Sequence, residues 1–207
     1  MRKTSLGELI ANAISHGVGA LVAIAILVLL LVRADGTPEV LSALAFGIAM
    51  VVLYFSSTLF HSFPEKMRRV YTVFQRLDHA SIFLLITGTY TPFLVLVANS
   101  TKGYVLLASL WFITIVGIVF KSIWIQKYHT VHLALYVLMG WSIVFVGSDV
   151  FAGLQNSFWF VLLGGVSYTL GVGFYVAKFK YAHFVWHLFV LTGSILHFFA
   201  VWIVLGF

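Results

Sequence analysis

The stretch YAHFVWHLFVLTGSILHFFAVWIVLGF (181–207) carries no Asp, Glu, Lys or Arg over 27 residues, yet holds three histidines. A hydrocarbon core of about 30 Å needs roughly 20 apolar residues as helix, so this run is long enough to span a bilayer. His183 and His187 stand four residues apart near its head, which puts both imidazoles on one helical face with Cβ atoms about 6 Å apart. That spacing suits two nitrogen ligands on a single divalent metal. Ionisable groups inside apolar membrane segments are costly and mark functional sites by default.

The rest of the chain repeats the pattern. It is 62% hydrophobic and 9% charged, with a mean hydropathy of +1.08. A soluble domain of 207 residues has no core large enough to hide that surface, so lipid is the solvent. Charge-free runs cover 9–32, 40–64, 79–101, 103–120, 128–148, 150–177 and 181–207. The run 103–120 is extended past Lys121 by Ser122–Ile125, with Lys121 expected to snorkel to the interface. Barrel-type alternation is missing. The expected fold is an all-α membrane protein, one seven-transmembrane helix bundle over 1–207. Its spans are expected near 12–32, 40–62, 79–99, 103–125, 129–149, 157–177 and 182–205.

Basic residues orient such a bundle. With seven spans, ten of the twelve Lys and Arg fall on one side, and only Arg33 and Lys102 on the other. The positive-inside rule then puts the N-terminus in the cytoplasm and the C-terminus outside. The net charge of +6 becomes a topology signal with anionic lipid headgroups as contacts, and no nucleic-acid partner is implied. Arg2 and Lys3 lead into a segment without a small-residue cleavage site, so no cleaved leader is expected. Ser5-Leu6-Gly7-Glu8 fits a capping box, which starts a helix near Leu6. The absence of cysteine excludes disulfides and thiolate ligands.

Connections are short. The longest, 63–77, alternates basic and apolar residues and is expected to lie along the inner headgroup layer. Ser167 and Gly171 form a small-xxx-small pair for close helix packing. Pro92 is expected to kink the third helix or free a carbonyl near Gly88.

The orientation brings separated polar residues to one depth. His61 ends the second span, Asp78 opens the third, and His183 and His187 open the last. At 1.5 Å per residue all four lie within about 10 Å of the cytoplasmic interface. Ser57 is one turn below His61 on the same face. Three histidines with an open fourth position describe a catalytic zinc that activates water. Asp78 then serves as general base or orients a histidine, and Ser57 bonds the water or a developing oxyanion. Each residue also has a plainer reading. A histidine near a helix end is interfacial, Asp78 is an N-cap, and Ser57 bonds the carbonyl four residues earlier. Their common depth favours a shared site.

Glu8, Asn12 and His16 recur every four residues, a polar stripe that lines the site entrance or sits among headgroups. His79 is expected on another face than Asp78, His129 and His132 at the interface, and His197 in a hydrogen-bonded packing role.

The segments NAISHGVGA (12–20), SSTLFHSFP (56–64), RLDHASIFLLITGTYTPF (76–93) and HFVWHLFVLTGSILHF (183–198) resemble the bacterial hemolysin III family. That family groups with the progestin and adipoQ receptors and, more distantly, the alkaline ceramidases. The resemblance covers essentially the whole chain. It implies a zinc ion held by His61, His183 and His187, with Asp78 and Ser57 beside the metal-bound water. Relatives in the ceramidase branch hydrolyse lipid amides, and the hemolysin III branch carries a proposed role in membrane lipid homeostasis. Three functions follow for a bacterial cytoplasmic-membrane protein. One is a zinc-dependent hydrolase taking a lipid amide or ester laterally from the inner leaflet. Another is a cytolytic pore or transporter, against which the apolar outer halves of the spans count. The third is a receptor or lipid sensor with structural zinc.

Overall fold

The computed structural model describes residues 4–125 and 127–206, with the His129 side chain outside that description. Eight α-helices occur among the described residues: α1 Leu6–Arg33, α2 Thr37–Ser62, α3 Arg68–Pro92, α4 Thr101–Ile123, α5 His129–Gly140, α6 Gly147–Leu154, α7 Phe158–Val176 and α8 Ala182–Val204. The expected capping box is present, with the Glu8 amide donating to Ser5 Oγ and the Ser5 amide donating to Glu8 Oε2 at 3.0 Å. Pro38 in the first turn starts α2, where its missing amide costs nothing.

Six stretches are helical, long and apolar enough to cross a bilayer, namely Leu6–Arg33, Thr37–Ser62, Arg68–Ala98, Thr101–Ile123, Thr130–Val176 and Ala182–Val204. The fifth and sixth expected spans therefore fall in one stretch of 47 residues. A straight helix of that length would run about 70 Å, more than twice the hydrocarbon thickness. Two interruptions divide it, a 3₁₀ segment Ser142–Val146 and another at Gln155–Ser157, where Gln155 takes a φ of 41°. A broken backbone inside a bundle must find polar partners. Tyr90 of α3 supplies them: its hydroxyl donates to the Gly140 carbonyl at 2.7 Å and accepts from the Ile143 amide at 2.9 Å.

The course of the chain follows from its ends. His79, Lys121, His132 and Tyr175 line one small cavity, which sets a point about three turns into α3, the end of α4, the start of α5 and the end of α7 at one level. Ser100, in the turn between α3 and α4, donates to Asp149 Oδ2 at 2.7 Å. The two ends of the stretch 130–176 thus lie at one level, and Asp149 between them lies at the α3–α4 turn, the far end of the molecule. At that far end Arg33 donates to the Trp202 carbonyl at 3.0 Å and lies 4.5 Å from its ring, joining α1 to α8.

Several expectations need correction. Residues 68–77 are the first turns of α3, because nothing between Arg68 and Leu77 breaks a helix. Asp78 consequently lies inside α3 and is no N-cap. Lys121 does not snorkel; it is 2% exposed and faces the small cavity. His132 is buried, its Nδ1 2.9 Å from the Tyr128 carbonyl. The interfacial reading of the His129 side chain lies outside the described residues.

Packing elsewhere follows the sequence reading. Pro92 ends α3, and the chain continues as a π-helix over Phe93–Ala98, a wider turn that accommodates the missing amide. Ser167 donates to the Phe189 carbonyl at 2.9 Å. A Cβ on Gly171 would come within 2.7 Å of Trp186, so α7 and α8 touch through the expected small pair.

Candidate metal centre

The end of α2 and the head of α8 meet at the level of the small cavity. Among the described residues His61, His183 and His187 form a group able to hold a metal ion, with one ring nitrogen of each all within 4.8 Å of one another. His61 and His187 are buried and His183 is half-buried. Helical spacing sets the His183–His187 ring centroids 4.7 Å apart, and the His61 ring lies 5.1 Å and 5.0 Å from them.

The hydrogen bonds settle which nitrogen of His187 is available. Ser15 of α1 gives its proton to the Asn12 carbonyl at 2.9 Å. Its oxygen, 3.0 Å from His187 Nδ1, can then only accept, so Nδ1 carries the proton and Nε2 keeps its lone pair. Metal-ligating histidines are oriented by such a bond on the other nitrogen. His61 Nε2 is buried with no hydrogen-bond partner, as expected of a ligand atom. Three neutral nitrogens suit a borderline ion such as zinc, and the donor set fits.

Residues the sequence brought to this depth are found around it. His16, Ser57, Asp78, His183 and His187 line one cavity of about 380 Å³. Ser57 Oγ is buried and faces the Asp78 carboxylate, with no bond to its own helix, whereas its neighbour Ser56 donates to the Val52 carbonyl at 2.5 Å. The plainer reading of a Ser57 bond to its own helix therefore fails. His79 is nearer Asp78 than expected, with Nε2 3.9 Å from Asp78 Oδ2, and it lines both cavities.

The stripe on α1 faces α8. Glu8 Oε1 accepts from the Tyr181 amide at 2.9 Å, which caps the head of α8. His16 stacks on His187 with centroids 3.5 Å apart and planes 10° apart. Ser15 was the residue that sequence reasoning missed. It stands beside His16 and three residues after Asn12, but nothing in the chain names its partner on α8.

Away from the triad the cavity is apolar, bounded by α3, the broken α5–α6 segment, α7 and α8. Trp141, Val144 and Phe151 line it and are also exposed on the outside of the bundle, so it opens sideways. Trp141 donates to Thr169 Oγ1 at 3.1 Å across that mouth.

The profile of the haemolysin-III-related family matches residues 7–198, nearly the whole chain and every residue of this centre. The chain belongs to the haemolysin III family. It is similar to Hemolysin-3 of Bacillus cereus, 39% identical over 94% of this chain and 90% of that protein. The Hemolysin-3 homolog of Bacillus subtilis (strain 168) is 38% identical over 95% and 94%. A human protein, Monocyte to macrophage differentiation factor, is 30% identical over 97% of this chain and 85% of its own length. The resemblance carried by the motifs is thus borne out. With bacterial relatives of this kind and six apolar helices, this haemolysin III chain is a multi-pass protein of the cytoplasmic membrane.

Proposed function

We propose that this protein is a zinc-dependent hydrolase of a lipid amide or ester, acting in membrane lipid homeostasis. One observation carries the reading. Three histidine nitrogens converge within 4.8 Å, and two of these histidines, His183 and His187, line an apolar, sideways-opening cavity that Ser57 and Asp78 also line. We read the bundle as seven crossings, with the stretch 130–176 passing out and back. Its N-terminus is then cytoplasmic and its C-terminus outside, which brings substrate from the inner leaflet.

A bound zinc ion would supply Lewis-acid polarisation of a carbonyl and a water activated near neutral pH. The chain's own residues do the rest. His61, His183 and His187 would hold the ion. Ser57, whose hydroxyl stands beside the Asp78 carboxylate, donates to the oxygen on which charge develops. The Asp78 carboxylate takes a proton from the attacking water and passes it to the leaving nitrogen or oxygen. Apolar walls receive the acyl chain and keep bulk water away. The test is release of fatty acid from long-chain lipid amides and esters by purified, metal-analysed protein. Release is expected from wild type and should fall at least about a hundredfold in Asp78→Ala, the scale of a lost general base. Release that persists unchanged in Asp78→Ala defeats this mechanism.

A structural role for zinc has one observation in its favour. The triad joins α2 to α8, as the Tyr54 hydroxyl does by donating to Ser194 at 2.7 Å. That reading, which suits a receptor or lipid sensor, gains if His183→Ala unfolds the protein while no lipid is turned over by wild type. A water-filled pore is disfavoured by the cavity's apolar walls.

A further inference from the structure

Lys121, on α4, is the only Lys or Arg that is buried among the described residues. A cation inside an apolar bundle is costly unless an opposite charge compensates it. The packing of α4 on α3 fixes where that charge can stand. Thr114 Oγ1 lies 2.7 Å from Thr87 Oγ1, and a Cβ on Gly117 would come within 2.6 Å of the Phe83 ring. Moving one turn further along both antiparallel helices sets Lys121 level with His79, and so with Asp78 beside it.

The chain has six carboxylates: Glu8, Asp35, Glu39, Glu65, Asp78 and Asp149. Asp35 and Glu39 sit where α1 gives way to α2, and Asp149 at the α3–α4 turn, all at the far end. Glu65 is exposed between α2 and α3, and Glu8 is held at the head of α8 by the Tyr181 amide. Asp78 remains. His79 Nε2 lies 3.9 Å from Asp78 Oδ2, and His79, Tyr136 and Tyr175 line both the Lys121 cavity and the one that Asp78 lines. The Lys121 and Asp78 charges are near enough to attract each other. Ser57 from α2, Tyr71 and His79 on α3, Tyr136 from α5, Tyr175 from α7 and His183 from α8 also surround the carboxylate, and none carries a permanent positive charge. Lys121 supplies one whether or not a metal ion is bound.

We propose that Lys121 is the built-in counter-charge of Asp78, a positioning residue that keeps the carboxylate ionised and drawn toward α4. A carboxylate must be ionised to take a proton from water. The part Lys121 plays in hydrolysis rests on the proposed function, whereas the charge pairing does not.

The test is a double-mutant cycle on the full-length protein in nanodiscs, read by thermal unfolding at measured zinc content. Lys121→Met and Asp78→Asn each strand one buried charge and should lower the melting temperature by at least about 5 °C. The double variant strands neither and should recover most of that loss, whereas losses that simply add overturn the pairing. The carbon-13 carboxyl signal of Asp78 reads the pairing directly, with Asp35→Asn and Asp149→Asn leaving it the only labelled aspartate. It should be ionised at neutral pH in the presence of Lys121 and protonated in Lys121→Met, and a signal unmoved by that substitution overturns the pairing. Should Lys121→Met fail to fold, the signal with Lys121 intact decides, an ionised Asp78 sustaining the pairing and a protonated one overturning it. Lipid hydrolysis should fall about tenfold to a hundredfold in Lys121→Met at unchanged zinc content, the scale of a displaced catalytic group, and be partly restored in Lys121→Arg. Unchanged hydrolysis in Lys121→Met overturns the positioning role. A wild type that hydrolyses no lipid defeats the proposed function instead, and the cycle still decides the pairing.

Discussion

Ser15 Oγ lies 3.0 Å from His187 Nδ1 while its own proton goes to the Asn12 carbonyl. That pair makes α1 part of the candidate metal centre without contributing a ligand. Loss of such an outer partner weakens metal binding 10- to 100-fold in typical sites, so Ser15→Ala should lower zinc affinity by about that factor. Competition with a chromogenic chelator measures it. Ser15→Thr retains the hydroxyl and should recover most of the affinity. If Ser15→Ala binds zinc as wild type does, the hydrogen bond does not set the His187 tautomer.

The stack of His16 on His187 makes a second, separable contribution. A metal-bound imidazole carries part of the ion's charge, and an aromatic face 3.5 Å away favours that state. His16→Phe keeps a face and removes both nitrogens, whereas His16→Leu removes the face. Zinc affinity is expected to fall only slightly in the first. In the second it should fall by a few-fold to about tenfold, matching about 0.5–1.5 kcal/mol for an aromatic pair. Equal losses in both would mean that the His16 nitrogens, and not its ring face, serve the centre.

How far these features could be read from the chain depends on where their signal sits. The candidate triad and Asp78 were legible because each stands near the end or head of an apolar run, with basic residues on the flanks to fix their depth, and Ser57 because it lies one turn from His61 on the same face. The stripe of Glu8, Asn12 and His16 was legible as a period on one helix. Its partner helix was not, since no local pattern says that α1 faces α8. Lys121 was misplaced because a charge beside an apolar run marks a membrane boundary by default, whereas here it points into the bundle. The division of the stretch 130–176 near Asp149–Ser157 was legible from the charge at Asp149, but the earlier 3₁₀ segment Ser142–Val146 left no periodic trace. A segment apolar on all sides looks alike as one helix or two, and the group that sustains the break, Tyr90, is some fifty residues away in sequence.

That Tyr90 hydroxyl supports a third expectation. It bonds both the Gly140 carbonyl and the Ile143 amide. Tyr90→Phe leaves both backbone groups without this partner inside the bundle, which should cost about 1–3 kcal/mol each unless the segment relaxes. Amide exchange at Ile143 is expected to accelerate strongly, with little change in the middle of α2. Unchanged protection at Ile143 would show that the break is held by something other than Tyr90.

The approach of α2 to α3 sets the spacing of Ser57 and Asp78, and it hinges on Gly88. A Cβ there would stand 2.6 Å from the Ala45 carbonyl oxygen and 2.7 Å from Ala49 Cβ, both parts of α2 that cannot swing aside. Gly88→Ala must therefore push the helices apart, at about 1–3 kcal/mol for an overpacked core. Gly165 on α7 is the control, since a Cβ there meets nothing within 4 Å. Gly165→Ala should be neutral or stabilise by up to about 1 kcal/mol through helix propensity. Thermal unfolding in detergent reads both. The same shift carries Asp78 away from Ser57, so Gly88→Ala should also lower any lipid hydrolysis while zinc stays bound by His61, His183 and His187. Hydrolysis that falls together with zinc content would place the damage at the triad instead.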